Sequence, residues 1–483
     1  MHPDPSRTRQ LPSYASHPWM SQVFLEIADG VQLTSDGNNR WLLRHGEATV
    51  PFHLPEGRVA SVLSRLVEKT LPLFDTVEAP SGGDGHLSVQ NQLQKLWRYG
   101  LLVQVLHVGE QRAALLRNFG EVPLLPDALD LSEQLVLSED VCIRRHRDVV
   151  VVEPVEFGAL IEITHRRFIR LLIELTTPSS LEALLQATGL PRESATAFLV
   201  WLNATGVIRA ATTDGRLLPH REAAVGWSFA DRLTHSRSRM GHHVGGYGAT
   251  FPLKGKVAVP PALKSSTREI LALPAPESGG SIPRDAHFLS ILHNRRSIRE
   301  HDSSPMTLEQ LGEFLHHVAR VKRLSRSGEY EVAMRPYPSG GALFELEFYP
   351  LINKCGGLKQ GLYRYEPAAH GLEDVSGVNA HTMQILLEAK RGCGMRSEPH
   401  VLIILAARFL RVNWKYESMS YSLILKNVGA AYQTMYLVAT AMGLAPCALG
   451  GGNSSLFCKA AGTEYWQESS VGEFFLGRPR SDS

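Results

Sequence analysis

Two separated segments of the N-terminal half repeat at one offset, which predicts that this half is built from two copies of one unit. Residues 62–70 (VLSRLVEKT) line up with residues 168–176 (FIRLLIELT), 106 positions later. At the same offset Leu93, Leu96, Gly100 and Leu101 meet Leu199, Leu202, Gly206 and Val207. A period shared by two segments marks a repeated supersecondary unit. In the second copy, residues 149–153 are a β-branched run and predict a strand. Phe168, Leu171, Leu172 and Leu175 have helical spacing. Ser179 or Ser180 can cap a helix over 181–188, which Gly189 ends. Pro191 opens a third helix running to Ala204. Gly206 stops it, and a strand starts at Val207. In the first copy, residues 41–44 and 48–52 read as strands, 58–69 and 87–99 as helices, and 101–107 as a strand. The pattern of strand, three helices and strand is winged-helix-like.

A winged helix raises the question of nucleic acid. The third helix of copy two, PRESATAFLVWLNA, carries one arginine, and the chain's 50 basic and 48 acidic residues nearly cancel. A phosphate-tracking surface needs clustered cations, so nucleic acid is not expected. The residues leave two readings open: scaffolding, or a peptide held along a strand edge and helix groove.

At 483 residues the chain has room for about three domains. The expected boundaries are 1–130 and 131–215 for the two units, 216–285 for a linker rich in Pro, Gly and Ser, and 286–483 for a different domain. The twin His242-His243 in the linker has no carboxylate or further histidine at ligand spacing, so no metal site is expected. Cys142, Cys355, Cys393, Cys447 and Cys458 form no CxxC pair, which excludes a disulfide framework and a zinc ribbon. The first residues lack the apolar core of a signal peptide, and no run reaches the ~18 apolar residues a membrane span needs. The expected setting is cytoplasmic, with no membrane partner.

The last domain alternates helix and strand patterns. Residues 306–318 predict a helix capped by Thr307. Residues 343–352, 361–365 and 401–410 predict strands. Residues 421–443 predict a long helix, apolar on all sides, which belongs in a core or a subunit interface. The fold class expected for the whole chain is α+β and multi-domain.

Four constellations here can carry chemistry. Arg295, Arg296, Ser297 and Arg299 combine guanidiniums with a hydroxyl, which suits a phosphate. In the run from Arg335 to Ala342 (RPYPSGGA), Pro338 stiffens the approach while Ser339 and Gly340 let backbone come close to a flat ligand. Leu449, Gly450 and Gly451 open a second glycine-rich loop that is neither a P-loop nor GxGxxG. Lys415 and Tyr416 stand side by side, a pair able to move protons if burial shifts one of them.

In this order the motifs resemble the FMN-dependent nitroreductase superfamily, and within it the SagB-type azoline dehydrogenases. RRSIR, RPYPSGGALFELEFY, GLYRYEPAAHGLE, LKNVGAAYQTMYLVATAMGLAPCALGGGNSSLF and VGEFFLGRPR carry the likeness over 286–483. The arrangement also resembles cyanobactin-type thiazoline oxidases, in which two winged-helix-like peptide clamps precede the oxidase. The resemblance implies a homodimer with FMN at its interface. Arg295, Arg296, Ser297, Arg299 and Arg478 or Arg480 would hold the phosphate and ribityl chain. Pro338, Ser339, Gly340, Leu449, Gly450 and Gly451 would line the ring, with Gln433 approaching from the long helix. Lys415 and Tyr416 match the family's catalytic pair. The chain departs from the family at Phe344-Glu345, often Tyr-Pro, and at His301, often aromatic.

The activity so implied is oxidation of thiazolines or oxazolines to thiazoles or oxazoles in a ribosomally made peptide. Oxygen would be the electron acceptor and a cyclodehydratase an upstream partner. Either Lys415 or Tyr416 could be the base. The alternatives are an NAD(P)H-dependent nitroreductase or flavin reductase, a SagB-type oxidase acting on another amino-acid or carrier-bound substrate, and an inert leader-binding scaffold.

Overall fold

The computed structural model describes residues 18–35, 40–45, 48–53, 58–73, 85–211, 226–276, 280–283 and 287–480. The chain divides into two compact units, residues 1–246 and 247–483.

Unit one is the repeat. Its first copy runs β1 (Val23–Ile27), then a meander of β2 (Val31–Ser35), β3 (Arg40–His45) and β4 (Ala48–His53). Next come α1 (Arg58–Glu68), β5 (Leu71–Pro72), α2 (Gly85–Arg98) and β6 (Leu102–Val108). After β7 (Gln111–Asn118) the second copy begins with β8 (Gln134–Leu137) and the meander β9 (Val141–His146), β10 (Val149–Pro154) and β11 (Ala159–Ile163). It ends with α3 (Arg166–Glu174), α4 (Leu181–Thr188), α5 (Arg192–Ala204) and β12 (Ile208–Ala211). The predicted caps are in place: the Ser180 hydroxyl accepts from the Ala183 amide, and Gly189 ends α4 in the left-handed region. Even the pairing repeats. β1 pairs antiparallel with β5 and β6, as β8 does with β12 and, through Leu135, with Ser179.

The copies are fused. The expected boundary at 130 falls inside unit one, because β7 pairs with β11 and closes a seven-stranded sheet of order β5-β1-β6-β7-β11-β10-β9. A single apolar core takes Leu63, Trp97 and Leu106 from the first copy and Phe168, Phe198 and Trp201 from the second. Each such side chain contributes roughly 1.5–3 kcal/mol by leaving water.

The expected linker, 216–285, is also redrawn. A helix, α6 (Phe229–Arg237), ends on unit one, where Arg237 and Ser236 donate to the carbonyls of Pro154, Val155 and Phe157. Residues 247–276 belong to unit two. There Arg408 donates to the Pro261 and Ala262 carbonyls, and Arg411 to that of Pro260. The segment lacks periodicity because side chains from elsewhere satisfy its backbone groups.

Unit two opens with β13 (Ile270–Ala272), α7 (Phe288–Asn294), β14 (Met306–Thr307) and α8 (Leu308–Ala319). The hairpin β15 (Arg323–Ser327) and β16 (Tyr330–Met334) leads into β17 (Leu346–Ile352), β18 (Cys355–Gly356), β19 (Gly361–Glu366), β20 (Gly371–Gly377) and α9 (Ala380–Cys393). The remainder is β21 (Val401–Arg408), α10 (Phe409–Asn413), α11 (Ser420–Ala441), β22 (Ala445–Leu449), α12 (Ser454–Ala461) and β23 (Glu468–Gly477). The main sheet, β13-β20-β19-β17-β21-β23-β22, is antiparallel at every pairing, so the α+β class holds.

Central β21 reads as an unbroken apolar run because both faces are covered. Val401, Ile403, Leu405 and Ala407 pack with α8 and α11, and Leu402, Ile404 and Ala406 with α9 and α12. Thr307 caps α8 in a reciprocal box with Gln310, as its sequence predicts. Two predicted strands are shorter than expected. β17 starts at Leu346 because Phe344 takes a positive φ of 48°, and α10 takes over from β21 at Phe409.

Candidate active site

The loop Arg335–Ala342, read from sequence as a ligand approach, lies against the Lys-Tyr pair some 75 residues downstream. Gly341 has φ 65°, a conformation that costs an L-residue about 1–2 kcal/mol. A Cβ placed on it would stand 2.7 Å from the Tyr416 hydroxyl and 3.0 Å from Lys415 Nζ. The dihedral favours glycine, and a Cβ would also press on the ends of both side chains.

α11 anchors the same loop. The Gly340 amide donates to Asn427 Oδ1 at 3.0 Å, and Asn427 Nδ2 donates to Glu345 Oε1 at 2.8 Å. Ser339 Oγ donates to Glu345 Oε2 and accepts from the Phe344 amide. Burial pushes the Glu345 carboxyl above its ordinary range, against the hydrogen bond from Asn427. The unusual Phe344-Glu345 step therefore stabilises the SGG turn from beneath.

Lys415 and Tyr416 follow α10, their amides bonded to the Val412 carbonyl. The Lys415 ammonium is ringed by aromatics, 4.7 Å from the Tyr330 centroid, 5.4 Å from Tyr416 and 5.9 Å from Phe251. Lys415 Nζ donates to the Tyr330 hydroxyl at 2.8 Å. Tyr330, on β16, carried no motif signal and was missed in sequence.

A second cluster gathers at the other end of α11. Ser297 Oγ is 2.7 Å from the Tyr436 hydroxyl, which also accepts from the Ala448 amide. The Arg295 guanidinium lies over the Tyr436 ring at 5.1 Å. The two basic segments meet here: His301 bridges Pro479, and the Asp302 amide donates to the Arg478 carbonyl. Arg296, Arg299, Arg478 and Arg480 are exposed. Beneath them, His400 Nδ1 accepts from the Met306 and Arg478 amides, and His301 Nδ1 accepts from the His400 amide. Burial, then His400, lowers the His301 imidazole to about 3. The substitution of His for an aromatic at 301 is thus a structural clasp. Tyr436 and His400 also escaped the sequence reading; a polar residue on an apolar helix or strand end was the available signal.

The second glycine loop divides unequally. The Leu449 side chain is buried in the core shared with α9 and α12, and Gly450 and Gly451 are exposed. Close approach is instead at Gly452, where a Cβ would fall 1.9 Å from the Glu473 carboxylate. Gln433 is exposed on α11 and touches neither cluster through a hydrogen bond among the described residues. The clusters are nine residues apart along α11, from Asn427 to Tyr436, or about 13 Å.

These arrangements suit a flat, redox-active group with an anionic tail. One cluster offers a backbone cradle without Cβ atoms beside proton-bearing side chains. The other offers several guanidiniums with a hydroxyl, which is phosphate chemistry.

The nitroreductase family matches residues 292–477 and the cyanobactin oxidase ThcOx family matches residues 135–244. A Methanocaldococcus jannaschii protein described as a nitroreductase is 31% identical over 160 residues, 33% of this chain and 76% of that protein. The microcin B17-processing protein McbC of Escherichia coli is 32% identical over 115 residues, 23% of this chain and 42% of McbC. The E. coli microcin synthetase McbBCD complex with truncated pro-MccB17 bound aligns at 21% identity and TM-score 0.34, over 48% of this chain and 82% of that one. The fold and site define an FMN-dependent oxidoreductase. The chain belongs to the nitroreductase family, and the likeness to azoline dehydrogenases read from its motifs holds. Among the described residues no helix is long and apolar enough to cross a membrane.

Proposed function

We propose that this protein dehydrogenates azoline rings in a ribosomally made peptide, giving thiazoles or oxazoles. The observation that carries the reading is the meeting of Gly341 with Lys415 and Tyr416. It sets proton-moving groups against a cradle for a flat cofactor. The peptide class is supported by the similarity of 135–244 to a cyanobactin oxidase family and by the name of McbC as a microcin-processing protein.

Bound FMN supplies the two-electron acceptor. The chain's own residues do the rest. Arg295, Arg296, Ser297, Arg299, Arg478 and Arg480 hold the phosphate and ribityl chain. Pro338, Ser339, Gly340, Leu449, Gly450 and Gly451 line the ring, with Gln433 nearby. Lys415 and Tyr416 orient the azoline and handle the proton leaving its carbon. Oxygen is the terminal electron acceptor, and an upstream cyclodehydratase makes the azoline.

We infer that the enzyme is a homodimer. The two clusters stand about 13 Å apart along α11. α11 buries one stripe and leaves Tyr421 and Leu425 exposed, and α7, which packs against α11, leaves Phe288, Leu289 and Leu292 exposed. A second copy would cover this apolar face and complete each site.

Unit one would clamp the leader by strand addition. The copies differ here: the outer edge of β11 is taken by β7, whereas β4, its counterpart, pairs only with β3 among the described residues. The β4 edge is therefore the leader site. Consecutive strand residues point their amides to opposite edges, so one of Thr49→Pro and Val50→Pro should weaken peptide binding without unfolding the sheet.

The test is to incubate FMN-loaded protein with an azoline peptide and follow loss of two hydrogens per ring by mass spectrometry. Lys415→Ala and Tyr416→Phe should keep FMN and lose turnover. Rapid NADPH oxidation with a nitroaromatic, and no change in the peptide, would favour a general nitroreductase.

A further inference from the structure

We propose that Tyr330 is the proton acceptor of the site, with Lys415 as the cation that holds its phenol oxygen ready; this rests on the dehydrogenase reading. The choice between Lys415 and Tyr416 as base, left open by their adjacency in sequence, gains a third member.

Geometry separates the three. Lys415 Nζ spends a hydrogen bond on Tyr330 Oη, at 2.8 Å. Toward Tyr416 it presents only the ring face, at 5.4 Å from the centroid. The Tyr416 hydroxyl lies against Gly341, where it shapes the cradle. Tyr330 is half-buried, so its oxygen is held by the lysine yet reachable by a substrate. Its ring is fixed from two sides, by Phe251 at 6.1 Å and Trp414 at 6.2 Å between centroids. Its hairpin runs directly into the Arg335–Ala342 loop, so the phenol and the cradle move as one piece of chain.

The charges around Tyr330 agree in sign. Lys415 donates from the segment before α11, Ser327 from the facing strand β15, and Arg411 adds a positive charge from α10. The Lys415 hydrogen bond is the largest influence, and together these hold the phenol below its usual range despite some burial. A phenolate at this position takes one proton from the substrate carbon. The C–H bond breaks, an O–H bond forms on Tyr330, and the electron pair left on the ring becomes the new double bond as the hydrogen of the neighbouring carbon leaves with its two electrons as hydride, for which bound FMN would be the acceptor. The hydrogen bond from Lys415 Nζ stabilises the phenolate before transfer.

The test has two arms. Without substrate, ultraviolet titration of the FMN-free protein should show one phenol ionising below the others. It should be absent in Tyr330→Phe and moved upward in Lys415→Met. With FMN and an azoline peptide, Tyr330→Phe should lower turnover about 100-fold or more, the usual worth of a general base. It should also erase the rise of rate with pH, while FMN binding and the circular dichroism spectrum stay those of the wild type. Tyr416→Phe should lose most of its turnover, with a residual rate that keeps that rise. An unshifted Tyr330 phenol overturns the proposal, as does a Tyr330→Phe enzyme with wild-type turnover and pH profile. A wild-type protein with the shifted phenol that dehydrogenates no azoline overturns the substrate reading and leaves the Tyr330–Lys415 pairing standing.

Discussion

Gly341→Ala tests the construction of the site at its tightest point. The backbone there has φ 65°, and a Cβ would stand 2.7 Å from the Tyr416 hydroxyl and 3.0 Å from Lys415 Nζ. The left-handed dihedral alone costs about 1–2 kcal/mol for an L-residue. For a unit of 150–250 residues, each kcal/mol lowers Tm by roughly 2–4 °C, so a fall of about 2–8 °C is expected. The contact adds a second effect. The Tyr416 hydroxyl must shift and Lys415 Nζ give by a few tenths of an ångström, so turnover should fall, toward the order of 100-fold that a displacement of about 1 Å in a catalytic group costs. The assay pairs thermal unfolding with turnover on an azoline peptide. Gly392→Ala is the control: it lies at the exposed end of α9 with open space around it and an ordinary dihedral. That change should be neutral or stabilise by up to about 1 kcal/mol. A Gly341→Ala protein with wild-type Tm and turnover would refute the reasoning.

Three further outcomes follow from the same geometry. Asn427→Leu removes the partner of the Gly340 amide and of buried Glu345, and should cost about 1–3 kcal/mol in denaturant unfolding, with weakened FMN uptake. His301 is neutral in the fold, at about 3, against an ordinary 6.5 in the unfolded chain, so the unfolded state binds the extra proton on acidification. Stability should be full above the ordinary value and fall by up to ~1.4 kcal/mol per pH unit between the two, a slope that His301→Phe reduces. Leu425→Arg, on the open face of α11, should yield monomers by light scattering and lose FMN along with the dimer.

Much of this was legible in sequence because it rests on local chemistry. The caps at Thr307 and Ser180 and the stop at Gly189 are short-range signals, and each has its element in the structure. The repeat could not reveal fusion of the two copies, because the β7–β11 pairing is a tertiary contact without a periodic mark. The 216–285 segment read as a tether because its backbone bonds to distant arginines rather than to itself. At the site, RRSIR, SGG and Lys-Tyr were visible as motifs. Tyr330 was not, since one tyrosine in a polar hairpin looks like any other until folding places it on Lys415. Gly452, rather than Gly450 or Gly451, proved to be the position where backbone meets a carboxylate, a distinction that three identical letters cannot carry.

Under the proposed function, this site couples proton removal to two-electron oxidation of a peptide azoline. A single-turnover reaction without oxygen tests it most directly: FMN-loaded protein mixed with an azoline peptide, its visible flavin band and the peptide mass followed together. Bleaching of the band is expected, with one ring losing two hydrogens per flavin, slowed in Tyr330→Phe and Lys415→Ala. Peptide of unchanged mass beside a band that bleaches only on addition of NADPH would contradict it.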